Sequence, residues 1–235
     1  MKSSWRIGTF GRIAVYVHAT FLLLLGWIAL SHWIQYESLI PTLTGLAFTL
    51  ALFVCVVLHE YGHALAARRF GIATRDITLL PIGGVARLER MPDKPNQELW
   101  VALAGPAVNA AIAAALGMYL LAGGHFQPVN QIGLTHGMFL ERLLFANLFL
   151  VGFNLIPAFP MDGGRVLRAL LAARMHYVRA TRIAATVGQA AAIVFALFGL
   201  LSNPFLLFIA LFVWTGAAFE LDIVQARAVL NGARA

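Results

Sequence analysis

His59 and His63 stand one helical turn apart in His59-Glu60-Tyr61-Gly62-His63, with a carboxylate beside the first imidazole. On a helix this spacing puts both rings on one face, where they can bind a single metal ion. Glu60 can then point towards a metal-bound water without being a required ligand. Zinc in such a place lowers the pKa of that water and polarises a carbonyl, the combination that peptide hydrolysis needs. Two histidines do not finish the site, because catalytic zinc usually takes three protein ligands and keeps a position for water.

Asp162 is the candidate third ligand, in Asn154-Leu-Ile-Pro157-Ala-Phe-Pro160-Met-Asp162-Gly-Gly-Arg165. Prolines 157 and 160 and glycines 163 and 164 interrupt a regular helix, so the backbone can turn Asp162 back towards a metal. By composition alone it could instead be an interfacial cap or a salt-bridge partner of Arg165. The other histidines fit less well. His18 and His32 flank the first apolar run, His125 and His136 fall in a loop, and His176 sits in a basic segment.

Asn154 offers an amide that could donate to a carbonyl oxygen as negative charge develops on it. It could equally tie two helices together. Asn109, in Ala104-Gly-Pro106-Ala-Val-Asn109, presents the same choice, whereas Asn147 reads as a packing contact. Cys55 is the only cysteine, which excludes an intrachain disulfide and a cysteine-based zinc cluster. It lies four residues before His59, on the same helical face, as a small packing residue or as part of the metal-site surroundings.

The elements that must hold these groups are membrane spans. Of the 235 residues, 60% are hydrophobic and only 11% charged, where a soluble domain carries roughly 25% charged. Six apolar runs approach the ~20 residues needed to cross ~30 Å of hydrocarbon: 15–33, 42–67, 99–122, 139–156, 183–201 and 205–221. The fourth and sixth are slightly short. The expected fold is an all-α polytopic membrane protein, a single domain over 1–235 with no CBS or PDZ domain. Polar chemistry inside such a run is expensive and usually functional.

Six spans with both termini on one side place 16 of the 17 Lys and Arg residues on that side, leaving Arg142 opposite. The positive-inside rule makes the crowded side cytoplasmic, in the inner membrane. The formal charge of +7 is therefore spread over loops beside anionic lipid, and no aromatic-basic pattern calls for a nucleic-acid partner. Between the second and third spans, residues 73–80 and 84–88 are strand-like around Pro81-Ile82-Gly83-Gly84. This hairpin either caps the bundle or offers an edge at Gly83, Gly84 and Val85 that pairs with an extended peptide.

These blocks together resemble the site-2 protease family of intramembrane zinc metalloproteases. The resemblance runs from about Gly11 to Gly232 and rests on His59 to His63, on Pro81 to Val85 with Ala104 to Asn109, and on Asn154 to Arg165. It implies one Zn2+ held by His59, His63 and Asp162, Glu60 as general base, and Asn154 assisting substrate or oxyanion binding. It also implies a membrane-spanning substrate such as an anti-sigma factor, often cut first by a site-1-type protease. Lateral entry past the first, fifth and sixth spans would admit it. A zinc-binding transporter and a noncatalytic scaffold are the competing classes. The transporter gives no special reason for Glu60 beside His59, and the scaffold predicts that stripping the metal preserves the principal activity.

Overall fold

A computed structural model describes residues 4–92, 94–123 and 138–232, so His125 and His136 lie outside the described residues. In chain order the elements are β1 (Ser4–Phe10), β2 (Ile13–His18), α1 (Ala19–Tyr36), α2 (Leu39–Arg69), β3 (Thr74–Leu80), β4 (Gly83–Leu88), α3 (Pro95–Ala122), α4 (Phe139–Asn154), α5 (Asp162–Ala172), α6 (Tyr177–Leu201) and α7 (Phe205–Gly232). Among the described residues, five helices are long and apolar enough to cross a membrane: α1, α2, α3, α6 and α7. The expected fourth span is α4, whose 16 residues extend only ~24 Å.

The expected helical bundle with a small interposed hairpin or sheet is present, but the sheet is larger than the two strands expected between the second and third spans. Four strands form a sheet in the order β1-β2-β3-β4, and the two N-terminal strands were hidden inside or ahead of the first apolar run. That run does not start a helix at Val15: residues 13–18 are strand, and α1 begins at Ala19. β-Branched Ile13, Val15 and Val17 suit a pleated surface, and a short apolar stretch leading into a helix carries no period that separates the two. Gly11 and Arg12 make the β1–β2 turn, both with positive φ (56° and 72°), as a two-residue hairpin turn that follows the strand twist requires. β2 and β3 pair in parallel, Ala14 with Asp76 through Val17 with Leu79, across the crossover made by α1 and α2.

Contacts divide the chain into two compact units, one of Met1–Met91 and Ala104–Val151, the other of Pro92–Leu103 and Gly152–Ala235. In the first, the sheet is seated on α2. Ile13, Ala64 and Ile77 form one buried cluster with Tyr61 and Ala86 against it, and Phe21, Phe53 and Leu79 form another. Tyr61 Oη donates to Phe10 O at 3.0 Å, which pins the β1–β2 hairpin to the helical turn carrying the histidines. Arg87 forks onto Asp76 across β3 and β4, at 2.8 Å through Nε and 2.5 Å through Nη2. That hydrogen bond raises the Arg87 pKa above the usual arginine value.

In the second unit α6 and α7 approach through small residues, as membrane helices do. The segment before α5 is packed on both: Ala158 and Met161 cluster with Ala192 and Val213, and Phe159 with Ala184, Ala185 and Ala217. Arg168 of α5 is buried beside it. Its Nε donates to Glu98 Oε1 at 2.7 Å and its Nη1 to Glu220 Oε2 at 3.0 Å, while the guanidinium lies 4.9 Å from the Phe159 ring centre. Burial pulls the Arg168 pKa down, but Glu98, Tyr177 and Glu220 outweigh it and leave the guanidinium above its ordinary value.

Candidate active site

α2 carries His59, Glu60 and His63 towards its C-terminal end. Both histidines are buried, and their rings meet edge to face with centres 4.7 Å apart. The two Nε2 atoms are 3.0 Å apart, close to the ~3.3 Å that separates two nitrogens on one tetrahedral zinc ion. Gly105 of α3 lies against this pair. A Cβ there would stand 2.6 Å from His59 Nε2 and nearer still to His63 Nε2, so any side chain at 105 would fill the place where a metal ion fits.

Glu60 is half-buried on the neighbouring position and faces the sheet. Its Oε2 accepts the Ala86 N–H of β4 at 3.1 Å. Gly84 of the same strand passes so close that a Cβ would come within 2.7 Å of Glu60 Cγ. Val85 between them is 44% exposed, and β4 is an outer strand of the sheet. Gly83, with φ of 137°, closes the turn that starts this strand.

Asn109 is fully buried on α3, and both polar atoms of its amide are engaged. His59 Nδ1 lies 2.5 Å from Asn109 Oδ1, and Asn109 Nδ2 donates to Asn147 Oδ1 of α4 at 2.8 Å. Asn147 is more than the packing contact expected of it, since its Nδ2 also donates to Leu143 O at 2.8 Å and faces Cys55 Sγ at 3.5 Å. Asn147 is 38 residues from Asn109 and on a different helix, so no local pattern in the sequence signals this link.

Asp162 is buried at the first position of α5, where the helix N-terminus favours its charge. The chain doubles back tightly before it. A Cβ on Gly163 would stand 2.5 Å from Leu155 O and closer to Ile156 O, which is why the aspartate is followed by glycine. Arg165, the alternative partner of Asp162, is 3.8 Å from Glu220. Asn154 ends α4 and is half-buried. His59, His63 and Asp162 are thus three buried residues, each offering one atom of the kind zinc takes. Of the remaining histidines, His18 caps α1 through Nδ1, His32 lies 3.0 Å from Ile28 O, and His176 precedes α6.

A set of long apolar helices with a buried histidine pair, a neighbouring glutamate and room for an ion defines a class, the multi-pass membrane metalloproteins. The chain belongs to peptidase family M50, whose model matches residues 47–133 and 125–197. A zinc metalloprotease of Methanocaldococcus jannaschii is 39% identical over 236 residues, covering 100% of this chain and 66% of that protein. A relative in Synechocystis sp. is 38% identical over 180 residues, covering 73% of this chain and 45% of its own length. The chain therefore spans two thirds or less of these curated relatives. The solved structure of the site-2 protease from Methanocaldococcus jannaschii matches with a TM-score of 0.66 and 39% identity, covering 93% of this chain and 95% of that one.

Proposed function

We propose that this protein is a zinc-dependent intramembrane endopeptidase that cuts a peptide bond in or near a transmembrane segment of another protein. The observation that carries the reading is the convergence of His59 Nε2 and His63 Nε2 beside Gly105, with the Glu60 carboxylate on the adjoining position held against β4. His59, His63 and Asp162 would hold one Zn2+. When bound, zinc supplies Lewis-acid polarisation of the scissile carbonyl and lowers the pKa of a water.

The rest of the chemistry falls to side chains and backbone. Glu60 takes a proton from the attacking water and returns one to the departing amine. Asn154 donates its amide to the carbonyl oxygen as charge builds there. A substrate helix whose backbone is fully paired cannot present a carbonyl, so the peptide is received in extended form on β4 around Gly83, Gly84 and Val85, where strand pairing replaces its lost hydrogen bonds.

The working unit is one intramembrane domain of six spans, with α4 as a short fourth. Both termini and the catalytic side face the cytoplasm, following the charge distribution. The substrate class is a membrane-tethered regulator such as an anti-sigma factor, shortened first by a site-1-type protease. The test is a cleavage assay in proteoliposomes with a single-span reporter, with and without a zinc chelator. Chelation should abolish cleavage and added zinc restore it; cleavage that survives complete metal removal would exclude the proposal.

A further inference from the structure

Asn109 and Asn147 belong to a buried hydrogen-bond chain whose direction is set from one end. Asn147 faces Leu143 O at 2.8 Å, and a backbone carbonyl only accepts, so the Asn147 amide nitrogen must be the atom on that side. Its oxygen is then left to accept from Asn109 Nδ2, also at 2.8 Å. This turns Asn109 Oδ1 towards His59 Nδ1 at 2.5 Å. An amide oxygen cannot donate, so the proton in that contact sits on His59 Nδ1. The Nε2 atom, which faces His63, keeps its lone pair.

Burial makes the order hard to reverse. Asn109 and Asn147 are both 0% exposed, and an amide flipped in such a place would set oxygen against oxygen with no solvent to relieve it. Cys55 Sγ, at 3.5 Å from Asn147 Nδ2, is a weak acceptor and agrees with the same direction. The bland alternative is that the two amides only bind α2, α3 and α4 together. That alternative gives no reason for the chain to end on a ring nitrogen of His59.

We infer that Asn147, acting through Asn109, is a positioning residue that fixes His59 in the tautomer presenting Nε2 as an electron-pair donor. The inference rests on the reading of His59 as a zinc ligand given above. Such outer partners typically contribute 10–100-fold in metal affinity, by orienting the ring and choosing its tautomer.

The test uses the full chain purified in detergent, with ring 15N NMR of the histidines in the zinc-free protein and Zn2+ affinity measured against a chelating indicator. His59 is identified by the signals lost in His59→Gln. We expect wild-type His59 to carry its proton on Nδ1, and Asn147→Leu to mix the two tautomers. Asn109→Leu should weaken zinc by about 10–100-fold, whereas Asn109→Asp, which keeps an acceptor for Nδ1–H, should hold zinc more tightly than the leucine variant. A wild-type proton on Nε2 overturns the inference, as do Asp and Leu variants weakened alike. Should the leucine variants fail to fold, the wild-type spectrum still decides. A wild-type protein that shows the Nδ1 proton yet binds no zinc would sink the metal-site reading and leave the tautomer assignment standing.

Discussion

Glu60 Oε2 accepts a hydrogen bond from the Ala86 backbone N–H at 3.1 Å, so the carboxylate of the His-Glu helix and the outer strand of the sheet fix one another's position. The proposed proton carrier and the proposed peptide-receiving edge are thereby one mechanical unit. Gly84 is the point where they nearly touch.

Gly84→Ala should therefore disturb catalysis and spare the metal. Its new Cβ would stand 2.7 Å from Glu60 Cγ, forcing the carboxylate aside, while His59 and His63 face Gly105 on another side. A displacement on the order of 1 Å at a catalytic group costs about 100-fold in rate. Turnover of a reporter and zinc content, measured on the same preparation, check this; zinc loss equal to the activity loss would show that the effect is not on Glu60.

Gly105→Ala should have the opposite signature. Alanine is the better helix former by about 1 kcal/mol, so α3 keeps its helicity while the two imidazoles must move aside for the new Cβ. The added methyl would occupy the space between the two Nε2 atoms and α3. We expect normal yield and helicity with zinc content reduced to background by atomic emission. A fully zinc-loaded Gly105→Ala would place the metal elsewhere.

Arg168→Met should strip the charge that balances Glu98 and Glu220. Arg168 is 1% exposed and Glu98 3%, so the change leaves a buried carboxylate without its partner, a loss of about 3–5 kcal/mol. Thermal unfolding in one detergent reads it, and adding Glu98→Gln should recover part of the loss. An unchanged midpoint for the single variant would mean that the network contributes nothing to holding the segment ahead of Asp162.

The sequence carried the chemistry further than the scaffold. His59, Glu60 and His63 were legible because their spacing is a helical turn, and the β3–β4 hairpin because Pro81 to Gly84 punctuates it. The β1–β2 strands were not, since Val15 to His18 run without a break into the apolar residues of α1 and only pairing with β3 shows them to be strand. Arg168 counts in sequence as one of many cytoplasmic-side cations; its burial depends on Glu98 and Glu220, 70 and 52 residues away, which no local pattern links. Asn147 reads in sequence as a packing contact for the same reason, because its meaning comes from Asn109 on another helix.

Glu60→Gln tests the central claim most directly. Glutamine keeps the size of the side chain and removes its ability to take a proton, and His59, His63 and Asp162 are untouched. Zinc content and cleavage of a transmembrane reporter should be measured together in proteoliposomes. We expect full zinc with cleavage reduced by about 100-fold or more. Cleavage at the wild-type rate by the zinc-loaded variant would contradict the assignment of Glu60 as the general base.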